Sequence, residues 1–209
     1  NEKDIFLDSH DIHVKGYLNF LDSASKLNKK IKIFYASSCL IYGDKLHCPV
    51  NDHTIPEPTC SYGKTKLEGM RLADIYNKDN LHIVNGILFN HESELRKSTY
   101  LSSKIFIHAI NSAFLNIDNT FELNDYDLNI DWGLAEDFVA SFHEVLKKSN
   151  GDQLIFSTGN TMNVAKFVDH VFKYFNLDTS LYSFSLSNKV STRTGVPKIL
   201  AEKYNIFLE

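Results

Sequence analysis

Two short and almost wholly apolar runs, IKIFYA (31–36) and LHIVNGILF (81–89), set the first limit on what this chain can form. Runs of this length are typical of strands buried on both faces of a parallel sheet. A third strand is predicted at QLIFSTG (153–159). Helices are predicted at residues 10–27, about 62–77, 99–115, 133–148 and 163–175, and a hairpin at the polar stretch 120–131. Strands that alternate with helices predict an α/β fold with a doubly wound parallel sheet.

Composition narrows the class of protein. The 209 residues carry a formal net charge of −4, which gives no general attraction to nucleic acid or to an anionic membrane. The three cysteines lack the spacing of metal ligands, and no apolar run approaches the roughly 20 residues of a membrane span. We therefore expect a cytoplasmic protein without a metal site, whose partners are neither nucleic acids nor membranes.

The candidate active-site residues follow the first apolar run. That run continues into Ser37 and Ser38, and about twenty loop residues later SYGKTK opens a predicted helix. Tyr62 and Lys66 are four residues apart, so a helix places both side chains on one face. A nearby ammonium favours the phenolate and lowers the pKa of a tyrosine, which suits it to act as a base near neutral pH. The alternative interpretation is an ordinary pair on a surface helix.

In this context the sequence resembles the extended short-chain dehydrogenase/reductases, and within them the GDP-mannose 4,6-dehydratase family. The most selective stretch is NGILFNHESELRKSTYLSSKI (85–105). Three further stretches are similar to the same enzymes: DIHVKGYLNFLDSA (11–24), NIDWGLAEDFVASFHEVL (129–146) and FSTGNTMNVAKFVDHVF (156–172). The likeness covers about residues 5–175.

The resemblance implies a Rossmann-like doubly wound parallel sheet with a smaller C-terminal substrate lobe. It implies that the catalytic residues are Ser38, Tyr62 and Lys66. The implied cofactor is NADP or NAD, contacted by Tyr62, Lys66, Leu88, His91 and Arg96. The implied substrate is GDP-mannose or a related nucleotide-sugar, contacted by Ser38, Asn90, Lys104 and Arg193. The basic loop SELRKS (93–98) implies a homo-oligomer, a dimer or tetramer, in which Arg96 approaches the cofactor of a neighbouring subunit.

Several features depart from the family pattern. The Gly-x-x-Gly-x-x-Gly loop that would hold the cofactor pyrophosphate does not occur in the sequence, so we expect a longer protein whose first strands precede residue 1. Residues 1–95 are then expected to be the second half of the dinucleotide-binding domain. Residues 96–209 are expected to form mainly the substrate lobe, with about 134–160 returning to the first domain. Ile130 stands where the dehydratases carry an arginine.

Leu40 is the departure that bears most on the reaction, because the dehydratases carry a glutamate at its position. Dehydration oxidises sugar C4, removes water across C5 and C6, and returns the hydride to C6. The water-loss step needs a base and an acid, work suited to a carboxyl group, and leucine does not titrate. Glu92 or Asp44 could substitute for the missing carboxyl.

Three hypotheses remain open from the sequence. The first is a nucleotide-sugar 4,6-dehydratase whose carboxyl comes from elsewhere in the chain. The second is an epimerase, reductase or dehydrogenase that stops after chemistry at C4. The third is a non-catalytic paralogue that binds a nucleotide or a partner subunit.

Overall fold

The computed structural model describes residues 2–27, 29–47, 49–78, 80–117, 121–124, 128–179, 182–185 and 191–208. Its α-helices are α1 (Glu2–His10), α2 (Tyr17–Ser25), α3 (Ser61–Tyr76), α4 (Leu101–Leu115), α5 (Ala135–Lys148), α6 (Val164–Tyr174) and α7 (Lys198–Tyr204). Its strands are β1 (Ile31–Ser38), β2 (Leu81–Leu88), β3 (Asn90–Glu92), β4 (Phe121–Asn124), β5 (Leu128–Ile130), β6 (Trp132–Leu134), β7 (Gln153–Phe156), β8 (Met162–Asn163), β9 (Tyr182–Ser185) and β10 (Ser191–Arg193). A π-helical turn, Asp11–Gly16, joins α1 to α2, and a kinked 3₁₀ segment, Cys39–His47, follows β1.

The predicted strands form a parallel sheet in the order β1-β2-β7. Along these strands alternate residues point to opposite faces, which is the period-two geometry of any strand. One face carries the apolar side chains Ile33, Tyr35, Ile83, Ile87 and Ile155, which pack with α2 and α3. The other face carries Phe34, Val84, Leu88, Leu154 and Phe156, which pack with α5 and α7. The sheet is therefore covered on both sides, as the two apolar runs require.

A second layer stands beside the carboxyl end of this sheet. Its core joins α4 and α6 to β4 and β5 through the buried side chains Ile105, Ala109, Leu123, Leu128, Ile130, Val164, Val168, Val171 and Phe172. Strand β5 pairs with β10 in parallel and with β8 in antiparallel orientation, while β4 pairs with β9. The hairpin predicted over 120–131 is therefore wrong, because the strands within it pair with segments much further along the chain. Residues 125–127 of that stretch lie outside the described residues.

The carboxylate of Asp131 ties the two layers together. Its side chain is fully buried and accepts hydrogen bonds from Thr158 N, Thr158 Oγ1 and Gly159 N, at 2.7–2.9 Å. It also accepts a bond from Thr194 Oγ1 at 2.8 Å, next to the end of β10. The Asp-Trp-Gly motif thus contacts the Thr-Gly motif through the side chain of Asp131. These hydrogen bonds hold the ends of β5, β7 and β10 together. None of the helices in the described ranges is both long and apolar enough to cross a bilayer.

Candidate active site

A cleft of about 670 Å³ opens between the carboxyl end of the sheet and the second layer. We call its two sides the sheet wall, made by residues 36–40, Tyr62, Lys66 and Leu88, and the outer wall, made by Leu101, Leu128, Ile130, Trp132 and Arg193. Asn90, His91, Glu92, Arg96 and Tyr100 lie in the same lining. Parallel strands end at one edge, where ligands of open α/β sheets commonly bind. Every predicted site residue except Lys104 therefore meets in one cleft.

Tyr62 and Lys66 reach the cleft because α3 begins next to the end of β1. The helix starts at Ser61, and the thiol of Cys60 caps it by accepting a bond from Gly63 N at 3.4 Å. A Cβ atom at position 63 would lie 2.4 Å from the carbonyl oxygen of Leu40, so only glycine lets the first turn approach the strand end this closely. Tyr62, in that first turn, remains 40% exposed.

The ammonium of Lys66 is held against the sheet. Its Nζ donates to the carbonyl of Ala36 at 2.9 Å and lies 5.5 Å from the ring centroids of Tyr62 and Tyr35. The pKa of Lys66 is lowered because burial disfavours the ammonium. The lysine is thus anchored beside the tyrosine by a backbone carbonyl of β1.

The expected lowering of the Tyr62 pKa is wrong for this geometry. Its pKa is raised, first because burial disfavours the phenolate and then because Tyr100, Cys39 and Cys60 lie nearby. Lys66 is not among the groups that shift the Tyr62 pKa, and its ammonium is engaged by the Ala36 carbonyl. The resting phenol is protonated, which suits Tyr62 to donate a proton. Acting as a base requires a further positive charge beside it.

Ser38 and Leu40 lie together at the end of β1. The hydroxyl of Ser38 accepts a bond from Leu40 N at 3.3 Å, so it caps the turn that carries the leucine. The neighbouring thiol of Cys39 is buried, and burial raises its pKa to about 11, so it is an unreactive thiol. Leu40 itself lines the cleft. The position that would supply a carboxyl group in the dehydratases is therefore an apolar part of the sheet wall.

His91, Glu92 and Arg96 form a linked group at the mouth of the cleft. His91 Nδ1 lies 2.8 Å from the carbonyl of Phe89, an acceptor, so this nitrogen carries the proton. Glu92 accepts from Ser102 Oγ at 2.7 Å and pairs with Arg96 Nε at 3.1 Å. The guanidinium of Arg96 lies 3.8 Å from the ring centroid of Tyr100. Arg96 thus points into the cleft of its own chain.

The outer wall brings together two positions far apart in sequence. Ile130 and Arg193 are direct neighbours in the parallel pairing of β5 with β10, and both line the cleft. The only cation of this wall among the described residues is therefore Arg193, next to the isoleucine that replaces the family arginine. Lys104 is exposed on α4 and Asp44 is exposed after β1, and neither is part of the lining.

The residues of the sheet wall fit the nicotinamide end of a dinucleotide. Leu88 and the neighbouring Phe89 offer apolar surface, while the hydroxyl of Ser37 is buried in the lining and finds no hydrogen-bond partner among the described residues. A buried hydroxyl of this kind is one that a bound polar group can satisfy. No group of three or more His, Cys, Asp or Glu side chains within the described ranges is placed to hold a metal ion.

Sequence reasoning missed several contacts of this site. His13 packs against Tyr62, Tyr100 packs against Arg96, and Asp131 holds the outer wall in place. The contacts of His13 and Asp131 join segments that are distant in the chain, so no local sequence pattern predicts them. The contact of Tyr100 with Arg96 is local. Asp131 carried a signal only as part of the Asp-Trp-Gly motif.

Comparison with known proteins agrees with this geometry. The family model described as GDP-mannose 4,6 dehydratase matches residues 7–202. The human GDP-mannose 4,6 dehydratase is 30% identical over 165 residues, which cover 78% of this chain and 44% of the relative. The Drosophila melanogaster enzyme is 29% identical over 167 residues, 78% of this chain and 42% of the relative. The chain thus spans less than half the length of these curated relatives.

Solved structures show the same fold at low identity. RMD from Pseudomonas aeruginosa, complexed with NADPH, matches with a TM-score of 0.85 at 17% identity, over all of this chain and 73% of that one. The dTDP-glucose 4,6-dehydratase from Bacillus anthracis, in complex with NAD, gives a TM-score of 0.84 at 16% identity, over 96% of this chain and 63% of that one. These likenesses confirm the predicted Rossmann-like α/β class.

Proposed function

The chain belongs to the GDP-mannose 4,6-dehydratase family, and we propose that it serves an NADP- or NAD-dependent enzyme that oxidises a nucleotide-sugar, GDP-mannose or a relative, at sugar C4. The observation that carries this proposal is the convergence of Tyr62, Lys66 and Ser38 on one wall of one cleft. The names of the relatives support the substrate class, and the solved structures with NADPH and NAD support the cofactor class.

The proposed roles follow from the contacts. A bound oxidised nicotinamide would supply the hydride acceptor and a positive charge that favours release of the Tyr62 proton to solvent, which the 40%-exposed phenol reaches. The Tyr62 phenolate would then take the proton of the C4 hydroxyl as the hydrogen on C4 leaves as a hydride. Lys66, anchored to the Ala36 carbonyl, holds its ammonium beside the phenol, and Ser38 offers a hydroxyl at the end of β1 to orient the sugar oxygen. Arg193 and Asn90, which line the same cleft, are the proposed contacts to the diphosphate.

A second function is favoured by Leu40. This side chain lines the cleft where water loss would need a titratable group. Glu92 is in the lining, but one oxygen of its carboxylate, Oε2, is already engaged by both Arg96 and Ser102. An enzyme that stops after chemistry at C4, an epimerase or a dehydrogenase, fits this arrangement, and we expect slow or absent water loss.

One experiment separates these functions. The whole protein is incubated with GDP-mannose and oxidised cofactor, and product mass and cofactor absorbance are followed together. A dehydratase yields a product lighter by one water without accumulating reduced cofactor. An epimerase leaves the mass unchanged and inverts C4, whereas a dehydrogenase accumulates reduced cofactor. No change in sugar or cofactor, for GDP-mannose and other nucleotide-sugars alike, would overturn the enzymatic proposal and favour a binding paralogue.

The oligomeric state is part of the proposal. The loop 93–98 matches the basic loop that the resemblance places against a neighbouring subunit, and we expect a dimer or a tetramer with Arg96 near that neighbour. Light scattering at micromolar concentration with cofactor present checks this. A monomer under these conditions would leave Arg96 to serve only its own cleft, where the ion pair with Glu92 already directs it.

A further inference from the structure

His13 contacts the proposed acid/base from outside the residues that line the cleft. It lies in the π-helical turn between α1 and α2, and such turns often occur at functional sites. The ring centroids of His13 and Tyr62 are 5.3 Å apart and the two planes are nearly perpendicular, at 83°. This edge-to-face arrangement is the favoured geometry of two aromatic rings. The imidazole therefore supports the Tyr62 ring directly.

A second contact ties the same histidine to the backbone of Tyr62. His13 Nδ1 lies 3.0 Å from Thr65 Oγ1, and that hydroxyl lies 3.0 Å from the carbonyl oxygen of Tyr62. Thr65 is fully buried. A hydroxyl has one proton to donate, and the carbonyl can only accept, so Thr65 donates to Tyr62 and accepts from His13. The neutral imidazole thus carries its proton on Nδ1 and keeps a lone pair on Nε2.

The charges around His13 come from two elements. On α3, Lys66 is close enough to lower the pKa of His13, although burial is the larger cause. One turn earlier, His10 Nε2 lies 3.7 Å from Glu68 of α3. On its own segment, Asp11 pairs with Lys15 at 2.7 Å. Because both carboxylates have nearer partners, the charge that His13 senses most directly is the ammonium of Lys66.

We propose that His13 is a positioning residue for Tyr62 and Lys66. The neutral imidazole of His13 holds the phenol of Tyr62 in place, and protonation of that imidazole disturbs the Tyr62–Lys66 pair. This inference rests on the proposed function of Tyr62 and Lys66 and extends it from α3 to the π-helical turn between α1 and α2. Protonated His13 adds a cation beside Lys66, and the two repel each other. Acid therefore weakens the arrangement in the range where an imidazole titrates, well below the range of the phenol.

A titration that needs no turnover tests the coupling. Imidazole C–H signals of the whole protein are followed by NMR against pH, with His13→Asn identifying the signal. We expect His13 to titrate below the ordinary histidine value of 6.5 and to move towards it in Lys66→Met, since the neighbouring cation is gone. Tyr62→Phe keeps the ring and is the matched control, with the pKa of His13 little changed. An unshifted His13 in Lys66→Met would overturn the coupling, whether or not the protein is an enzyme.

Kinetics test the consequence for the reaction. We expect kcat of the natural protein to fall at acid pH as His13 becomes protonated, which gives the pH profile of kcat an acid limb. In His13→Asn this acid limb should be absent. At neutral pH His13→Asn should lower kcat by about tenfold with KM unchanged, less than the roughly hundredfold cost of a 1 Å misplacement. His13→Phe should recover part of kcat without the acid limb, because it restores the ring contact alone. His10→Asn, the control one turn earlier at the end of α1, should keep the acid limb. An acid limb that survives in His13→Asn would overturn the proposal.

Discussion

The two walls of the cleft are built from different chemistry. The sheet wall carries the hydroxyl of Ser38, the phenol of Tyr62 and the ammonium of Lys66, each in contact with a backbone group or a neighbouring ring. The outer wall carries Leu101, Leu128, Ile130 and Trp132 with one cation, Arg193. The groups proposed for proton transfer therefore lie together on one side, whereas the proposed binding of a charged ligand on the other side depends on few residues.

This difference separates what the family has in common from what sets this chain apart. Ser38, Tyr62 and Lys66 match the family pattern, and the structure brings them together. Leu40 and Ile130 depart from it, and both are apolar side chains in the cleft lining. In the proposed reaction, oxidation at C4 uses only the first group, while water loss and diphosphate binding would use the positions that changed. Substitutions in either wall test this difference.

The largest expected effect is at the sheet wall. Tyr62→Phe removes the phenol and keeps the ring, so its contact with His13 is retained. We expect kcat to fall by about 10²–10⁴, the usual cost of losing a positioned acid or base. Nucleotide-sugar affinity, measured by calorimetry, should stay within about threefold, since a step-specific loss leaves ground-state binding in place. Full activity in this variant would remove Tyr62 from the reaction.

The next largest effect is expected at Asp131, whose hydrogen bonds hold the outer wall in place. In Asp131→Asn one carboxylate oxygen becomes an amide nitrogen that cannot accept, so either Thr158 or the pair Gly159 and Thr194 loses its acceptor. A buried donor left unsatisfied costs about 1–3 kcal/mol, so we expect the unfolding equilibrium to shift by about 5- to 150-fold. Denaturant unfolding measures it. Asp11→Asn, which breaks an exposed pair with Lys15, is the control and should change little. Equal stability of both variants would contradict the role given to Asp131.

A third change attempts to make the sheet wall competent for water loss. Leu40→Glu places a carboxyl group in the cleft lining, and we expect the rate of water loss to rise by about tenfold, below the full gain of a well-positioned acid or base. The gain is limited because a half-buried carboxyl without a partner is costly. Leu40→Gln has the same shape without a titratable group and is the matched control. An equal gain in Leu40→Gln would show that polarity alone is responsible.

The same experiment tests Glu92 in the natural protein. Rapid water loss without any substitution would mean that another carboxyl does the work, and Glu92 lies in the lining. Glu92→Gln should then abolish it. That variant also releases Arg96 from its ion pair, so Ser102→Ala, which removes only the hydroxyl bonded to Glu92, is the control.

What could be predicted from the sequence was local. The apolar runs gave β1 and β2, and the four-residue spacing gave the common face of Tyr62 and Lys66. The hairpin failed because β4 and β5 find partners more than thirty residues away. The predicted direction of the Tyr62 pKa shift was wrong because it too depends on tertiary contacts. Burial is the largest cause of the raised pKa, and Tyr100 is the next. The roles proposed for the site residues remain predictions, which kinetic and binding measurements on the variants test.

The smallest expected effect marks the edge of the outer wall. Lys104 matches the family's nucleotide-binding lysine, yet its side chain is exposed on α4 and outside the cleft lining. Acting at a distance through solvent, its ammonium attracts a diphosphate only weakly, and salt screens that attraction within about 10 Å. We expect Lys104→Met to weaken nucleotide-sugar binding by about twofold at low salt and not at all at high salt. Arg193→Met, which removes the cation inside the lining, should cost about tenfold at both, as expected for a charge-assisted hydrogen bond. A tenfold, salt-insensitive loss in Lys104→Met would instead put Lys104 on the diphosphate and extend the binding surface along α4.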